Sequence, residues 1–264
     1  MKTKRSGSIL AGAGFLLLAM GTVCSVLVRG SAIAEGARQS RELLYALSLI
    51  AALVGLVLCA AGLHRVRRGP EIRKTDVRTL AQASVFAALC YIGFALFKID
   101  IPVGAEKTAF HLGNVFCVLA ALFLGGLWGG MAGAVGMTVA DLTSGYVTSA
   151  PKTFLLKLGI GLIVGPVAQK AFHLNQEKQG HKRMWGTVAS AAAGMAFNVV
   201  ADPVVGYFYK TYVLGVPQDA AATWAKIGAV TTLVNAIVAV AAASVFYLAL
   251  RPALERAGLI KPAV

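Results

Sequence analysis

The run His111-Leu-Gly-Asn114-Val-Phe-Cys117-Val-Leu-Ala120-Ala-Leu-Phe-Leu-Gly125-Gly-Leu-Trp-Gly129-Gly continues to Asp141 without a charged side chain in between. A bilayer core is crossed by about 20 predominantly apolar residues in a helix, and from this run two such stretches are read, 112–127 and 129–147, which meet at the glycine-rich segment 125–130. The glycines at 125/129, 126/130 and 129/133, and later at 161/165, are spaced by four. That spacing puts them on one helix face and lets backbones approach closely. The reading is a tight turn between two closely packed membrane helices.

Working outward, the whole chain has the same character. Of its 264 residues 58% are hydrophobic and 14% charged, with 29 glycines and a mean hydropathy of +0.73. A soluble domain has about 45–50% apolar and about 25% charged residues, so a water-soluble enzyme is excluded at the outset. Eight spans are legible: 8–28, 43–63, 79–97, 112–127, 129–147, 153–172, 185–206 and 227–250. The polar stretches 64–78 and 173–184 are too short to bury a core of their own. The expected fold is an all-α integral membrane protein with four parts. A two-helix hairpin (1–63) and a basic linker (64–78) precede a six-helix core (79–250) and a tail (251–264).

A net charge of +14 would suggest nucleic acid in a soluble chain. Here the basic residues follow topology. With the N-terminus inside, 16 Lys and Arg fall on the cytoplasmic side and 9 on the other, which places both termini in the cytoplasm of a plasma-membrane protein. The segment from Met1 to Ala34 also resembles a signal peptide with a small-residue cleavage site, although Arg29 interrupts the approach. The linker reads either as an anchor on anionic lipid or as a docking surface for a cytoplasmic partner. Cys24, Cys59, Cys90 and Cys117 stand singly in apolar runs, as small apolar fillers do.

Ionisable groups inside a span are costly and therefore candidates for function. Asp141, Lys157 and Asp202 stand out, with Asn114, Asn198 and Asn235 as uncharged companions. Asn198 and Asp202 share a face at i,i+4, as do Thr231 and Asn235, and Thr153 and Lys157; His111 and Asn114 are i,i+3. In the expected topology these groups, with loop 98–109, Lys107, Tyr146, Lys152 and Pro203, lie toward the outer helix ends. Convergent polar groups at one depth describe a small-molecule site open to the outside. The competing reading is internal glue, with Asp141 or Asp202 paired to Lys152 or Lys157. There is no GxxxxGK[ST], HExxH or GxSxG, so neither ATP hydrolysis nor hydrolase chemistry is expected of this chain, and no motif calls for a metal or cofactor.

Several short motifs occur together in order: Thr79-Leu-Ala-Gln-Ala83-Ser-Val-Phe-Ala87, Ile99-Asp-Ile-Pro102-Val-Gly, His111-Leu-Gly-Asn114, Gly125-Gly-Leu-Trp-Gly129-Gly, Asp141-Leu-Thr-Ser-Gly145-Tyr and Ala150-Pro-Lys152-Thr-Phe-Leu-Leu-Lys157. In these the six-helix unit resembles the S component, the substrate-binding subunit, of energy-coupling factor (ECF) vitamin transporters. The resemblance implies capture of a micronutrient from outside, with a membrane-embedded T component and two cytoplasmic ATPases supplying the energy. It also implies toppling of the S component in the bilayer to release its ligand. The family's AxxxA contact with the T component falls on Ala83 and Ala87. The two N-terminal helices are additional to the family plan.

The expected binding residues are Lys107, His111, Asn114, Asp141, Tyr146, Lys152, Lys157, Asn198 and Asp202. The basic members favour an anionic vitamin such as pantothenate or niacin. If Asp141 or Asp202 neutralises them, a neutral ring with hydrogen-bonding edges fits instead. The modest aromatic complement leans away from a large flat flavin. Two rival functions are a self-sufficient proton-coupled carrier working through Asp141 or Asp202, and a non-transport membrane scaffold.

Overall fold

The computed structural model describes residues 77–104, 106–176 and 180–260. The N-terminal hairpin, Cys24, Cys59 and nearly all of the basic linker lie outside the described residues. Six α-helices follow in order: α1 (Val77–Ala95), α2 (Gly113–Leu124), α3 (Gly126–Thr143), α4 (Ala150–Pro166), α5 (His181–Phe208) and α6 (Gln218–Arg256). Single π-turns continue α4 over Val167–Ala171 and α5 over Tyr209–Val213. Between α1 and α2 stands an antiparallel hairpin of β1 (Lys98–Val103) and β2 (Glu106–His111), with Ile99 opposite Phe110 and Pro102 opposite Lys107. Apart from this hairpin the described architecture is helical. Residues 144–151 belong to a second compact unit, while Val77–Thr143 and the residues from Lys152 onward form the larger one.

The expected break between the two central spans is a single residue. Gly125 has φ +82°, a conformation that costs glycine little, and its N–H donates to the Ala121 carbonyl at 3.0 Å to close α2. Its own carbonyl accepts the Gly129 N–H at 2.9 Å, so α3 begins at once. The chain reverses and α3 runs back along α2: Gly129 lies against Ala121, Gly133 against Cys117, and Gly113 against Met137. The opposite side of α3 meets α4, with Gly126 beside Gly161 and Gly165, and Gly130 beside Gly161 and Leu158. Gly136 faces the Ala87 carbonyl of α1.

Within the larger unit α1 packs on α2 and α3, α5 on α6, and α2 also on α6. Four helical stretches are long and apolar enough to cross a membrane: Val77–Ala95, Val147–Ala171, His181–Val213 and Gln218–Arg256. α2, with 12 residues, is shorter than a full crossing, and nine of its residues are buried against its neighbours. Val200, Val204, Val230, Ile237 and Val245 point outward, as residues facing lipid do. The 39-residue α6 exceeds the expected span 227–250 at both ends, because its first turns carry Gln218, Asp219 and Lys226. Hydropathy reports only the part of a helix that lies in lipid.

The end of the bundle away from the hairpin is closed by a polar network. Arg251, 1% exposed, donates to Glu255 at 2.6 Å and to Asn175 at 3.3 Å, and also meets the Tyr247 hydroxyl; Arg183 lies 4.0 Å from Glu255. The segment after α6 returns to α1, where Gln82 donates to the Leu259 carbonyl at 2.9 Å and Arg78 to that of Gly258.

A side chain at Gly161 would collide with Gly126 and Gly130 backbone. Gly161→Val is therefore expected to destabilise the chain by about 1–3 kcal/mol, the usual cost of overpacking. Gly228 has nothing within 4 Å of a Cβ position. Gly228→Ala should leave stability unchanged or raise it by about 0.5–1 kcal/mol, since alanine is the better helix former. Thermal unfolding of both variants in detergent, followed by circular dichroism, checks the pair.

Candidate ligand site

Helix polarity brings one end of each of α2–α6 to the hairpin end of the bundle. The start of α2, the early turns of α4, the last turns of α3, the later part of α5 and the middle of α6 meet there. Polar residues are buried at this level on each of them: Asn114 on α2, Thr138 and Asp141 on α3, Thr153 and Lys157 on α4, Asn198 on α5, and Thr231, Thr232 and Asn235 on α6. Burying that many polar groups is unfavourable unless each finds a partner.

Some do. Lys152 donates to Asp202 at 2.8 Å, joining α4 to α5, and Thr232 donates to the other Asp202 oxygen at 2.8 Å, adding α6. Lys157 Nζ approaches Asn198 Oδ1 at 3.5 Å. Asp141 is hydrogen-bonded by Thr153 and lies within electrostatic reach of Lys152, Lys157 and Asp202. The pairing expected of internal glue thus holds for Lys152 with Asp202. Others find no protein partner: His111 Nδ1, Asn114 Oδ1, Thr138 Oγ1 and Asp141 Oδ2 are buried without a hydrogen bond in the structure. A site for a polar ligand has this property, because groups that wait for the ligand are left open by the protein.

His111 ends β2 with its ring 4.7 Å from that of Phe94. Burial, reinforced by the Lys157 ammonium and opposed by Asp202, pushes its imidazole down to about 3, so it is neutral at physiological pH. Its backbone N–H donates to Asn235 Oδ1 at 3.0 Å, and Asn235 Nδ2 donates to the Ala109 carbonyl at 2.9 Å.

The structure therefore brings His111, Asn114, Asp141, Lys152, Lys157, Asn198 and Asp202 to one end of the larger unit. Lys107 is elsewhere on the hairpin, partly exposed and ion-paired to Asp100 at 3.1 Å, an acid that Lys98 also approaches at 3.2 Å. Tyr146 lies in the 144–151 segment, where its carbonyl accepts the Ser149 N–H at 2.8 Å to form the turn Val147–Ser149. Ala83, 7% exposed, packs with Ala120 and Ala132, and the Ala87 carbonyl lies against Gly136, so both serve packing inside the bundle. The outer side of α1 carries Leu80, Ala81, Ser84, Val85 and Ala88 instead. Thr138 and Thr232 went unnoticed in the sequence because hydroxyls in apolar runs give no charge signal. Thr232 is marked only by standing three residues before Asn235.

Removing the carboxylate of the partly buried Lys152–Asp202 pair leaves its cation uncompensated, at a cost of about 1–3 kcal/mol. Asp202→Asn is accordingly expected to lower unfolding stability by about that amount. Joint replacement of Lys152 by Met and Asp202 by Leu should recover most of the loss. Chemical unfolding of the two variants in detergent separates an ion pair that holds helices from one that is dispensable.

Residues 74–252 match the family described as ECF-type riboflavin transporter, S component. A protein of Pyrococcus woesei, described as "Uncharacterized protein in gap 3'region", is 37% identical over 67 residues, which are 25% of this chain and 45% of that protein. The chain thus spans less than half the length of that relative. No solved structure matches it. The match over residues 74–252 takes in all six described helices except the last turn of α6, and this multi-pass membrane protein belongs to the S components of ECF-type riboflavin transporters.

Proposed function

We propose that the chain captures a flavin-like vitamin from the outer side of the plasma membrane, both of its termini being cytoplasmic, and passes it inward as part of an ECF importer. A T component and two cytoplasmic ATPases supply the energy. The observation that carries this reading is the set of unpartnered buried atoms at the hairpin end of a family member. Asn114 Oδ1 and Asp141 Oδ2 are acceptors, and they call for hydrogen-bond donors on the ligand. Lysines that first suggested an anionic vitamin are compensated: Lys152 by Asp202 and Lys107 by Asp100. A neutral ring or polyol with N–H and O–H edges meets these groups better than pantothenate or niacin does. Binding then rests on His111, Asn114, Asp141, Lys157 and Asn198, with Lys152 and Asp202 framing them. The small residues Ala81, Ser84 and Ala88 on the outer side of α1, next to Ala83 and Ala87, permit the close helix crossing that a T component needs.

Riboflavin added to the purified chain is expected to lose fluorescence on binding, whereas pantothenate and niacin should give no heat in a calorimeter. Asn114→Leu and Asp141→Leu should each weaken riboflavin binding by about tenfold or more, the worth of a lost hydrogen bond to a buried group. Uptake should require the ATPase module and survive collapse of the proton gradient. A chain that binds none of a panel of vitamins, or that imports without any ATPase, defeats the reading.

A further inference from the structure

The hairpin is attached to the bundle through one side chain of unusual geometry. In the antiparallel ladder Phe110 pairs with Ile99, which leaves the His111 N–H and the Ala109 carbonyl on the outer edge of β2. An unpaired strand edge is a liability, and here a helix covers it. The primary amide of Asn235 presents an N–H donor and a carbonyl acceptor on one carbon, as a peptide group does, and it binds both edge groups at 2.9 and 3.0 Å. Asn235 is 6% exposed. Eleven residues earlier on α6, Trp224 stands beside the hairpin turn, where a Cβ on Gly104 would lie 3.9 Å from its Nε1. Eleven helical residues rise about 16 Å. The five residues of strand from Gly104 to Ala109 cover about the same distance, so β2 runs along the first turns of α6 in register.

We propose that Asn235 is the positioning residue of the ligand site: by pairing with β2 as a third strand would, it sets His111 at the rim of the cluster formed by Asn114, Asp141 and Lys157. This deepens the proposed function and rests on it for the identity of the ligand. Asn235 does not touch the ligand; it acts through the β2 backbone. The charged groups facing His111 are Lys157 on α4 and Asp202 on α5, with Lys98 its register partner on β1; from α1 it meets the uncharged Phe94 ring, and from α6 Asn235 itself. Held there, its imidazole stays neutral. Released into water it would titrate near its ordinary value of about 6.5.

The test uses the full chain in lipid nanodiscs with Asn235→Asp, Asn235→Ala and Asn235→Gln. Asn235→Asp keeps the size and the acceptor but turns an oxygen toward the Ala109 carbonyl, and Asn235→Gln keeps the amide. Three readouts are taken: amide hydrogen exchange across β2, the titration of carbon-13-labelled His111 between about pH 5 and 8, and riboflavin affinity by fluorescence. In the wild type β2 should exchange slowly and His111 should not titrate. Asn235→Asp and Asn235→Ala should speed exchange by about tenfold, make His111 titrate and weaken riboflavin binding by about tenfold, the worth of one to two hydrogen bonds. Asn235→Gln should recover most of each effect. Unchanged exchange and titration in folded Asn235→Asp overturns the assignment. Altered exchange and titration with unaltered riboflavin affinity overturns the link between Asn235 and the site. If the wild type binds no riboflavin, the proposed function falls, and the first two readouts still decide whether Asn235 positions His111.

Discussion

Three helices meet α3 so closely that a methyl group would not fit between them. Gly129 and Gly133 lie on α2, Gly126 and Gly130 on α4, and Gly136 on the Ala87 carbonyl of α1. In lipid there is no hydrophobic gain from bringing apolar helices together, and close van der Waals contact has to supply the cohesion. Contact at backbone distance also fixes where a helix sits along its axis, because a glycine that slides by one residue meets a side chain. The register of α3 against its neighbours determines the height of Thr138 and Asp141. That height is the level of Asn114 at the start of α2 and of Thr153 near the start of α4.

The polar end of the bundle depends on that register. Lys152, Asp202 and Thr232 come from three helices and satisfy one another only if these three positions, near the start of α4, in the last two turns of α5 and midway along α6, lie at the same depth. The arrangement is self-consistent: glycine contact sets the depth, and the ion pair with its hydroxyl ties α4, α5 and α6 at that depth. At the other end Arg251, Glu255, Asn175 and Tyr247 tie the stretch after α4 to α6 in a similar way. Both ends leave buried atoms without a protein partner: acceptors on Asn114 and Asp141 near the hairpin, and Ser244 Oγ on α6 toward the other end. The proposed site is the hairpin end, where such atoms gather from several helices.

Much of this was legible in the sequence. The break at Gly125, the order of the helices from 79 to 250 and the gathering of ionisable groups toward one set of helix ends follow from hydropathy, four-residue spacing and the cost of charge in lipid. The hairpin was read as a loop because Pro102 and Gly104 interrupt its alternation, and because a two-stranded ribbon takes its stability from the surface beneath it. That surface runs along α6 from Trp224 to Asn235, and its first part lies outside the expected span 227–250, since Asp219 and Lys226 hide the start of α6 from a hydropathy window. The sequence offers Asp141 or Asp202 as a partner for Lys152 or Lys157, and only the fold selects Lys152 with Asp202, fifty residues apart. Four basic residues counted along the chain suggest an anion, whereas the folded chain balances two of them with carboxylates. Four-residue spacing shows that Ala83 and Ala87 share a side, but only packing against Ala120 and Ala132 shows that this side faces inward.

Acceptors without a protein partner would also give the proposed site in this lipid-embedded bundle a means of discriminating among ligands. A buried polar atom that a bound ligand leaves unpaired costs about 1–3 kcal/mol, and Asn114, Asp141, Thr138 and His111 each present a buried atom with no protein partner. A ligand with donors at the matching positions avoids several such costs at once. A ligand of the same size that lacks one donor leaves an acceptor stranded behind it, and an anion brings a second acceptor against Asp141. Discrimination of this kind exceeds what apolar fit alone achieves, because a missing partner is penalised more heavily than a missing methylene. It requires, however, that the acceptors stay in place while the site is empty. Lipid offers nothing to bind them, so their placement rests on the glycine contacts of α3 and on the Lys152–Asp202 ion pair beside it.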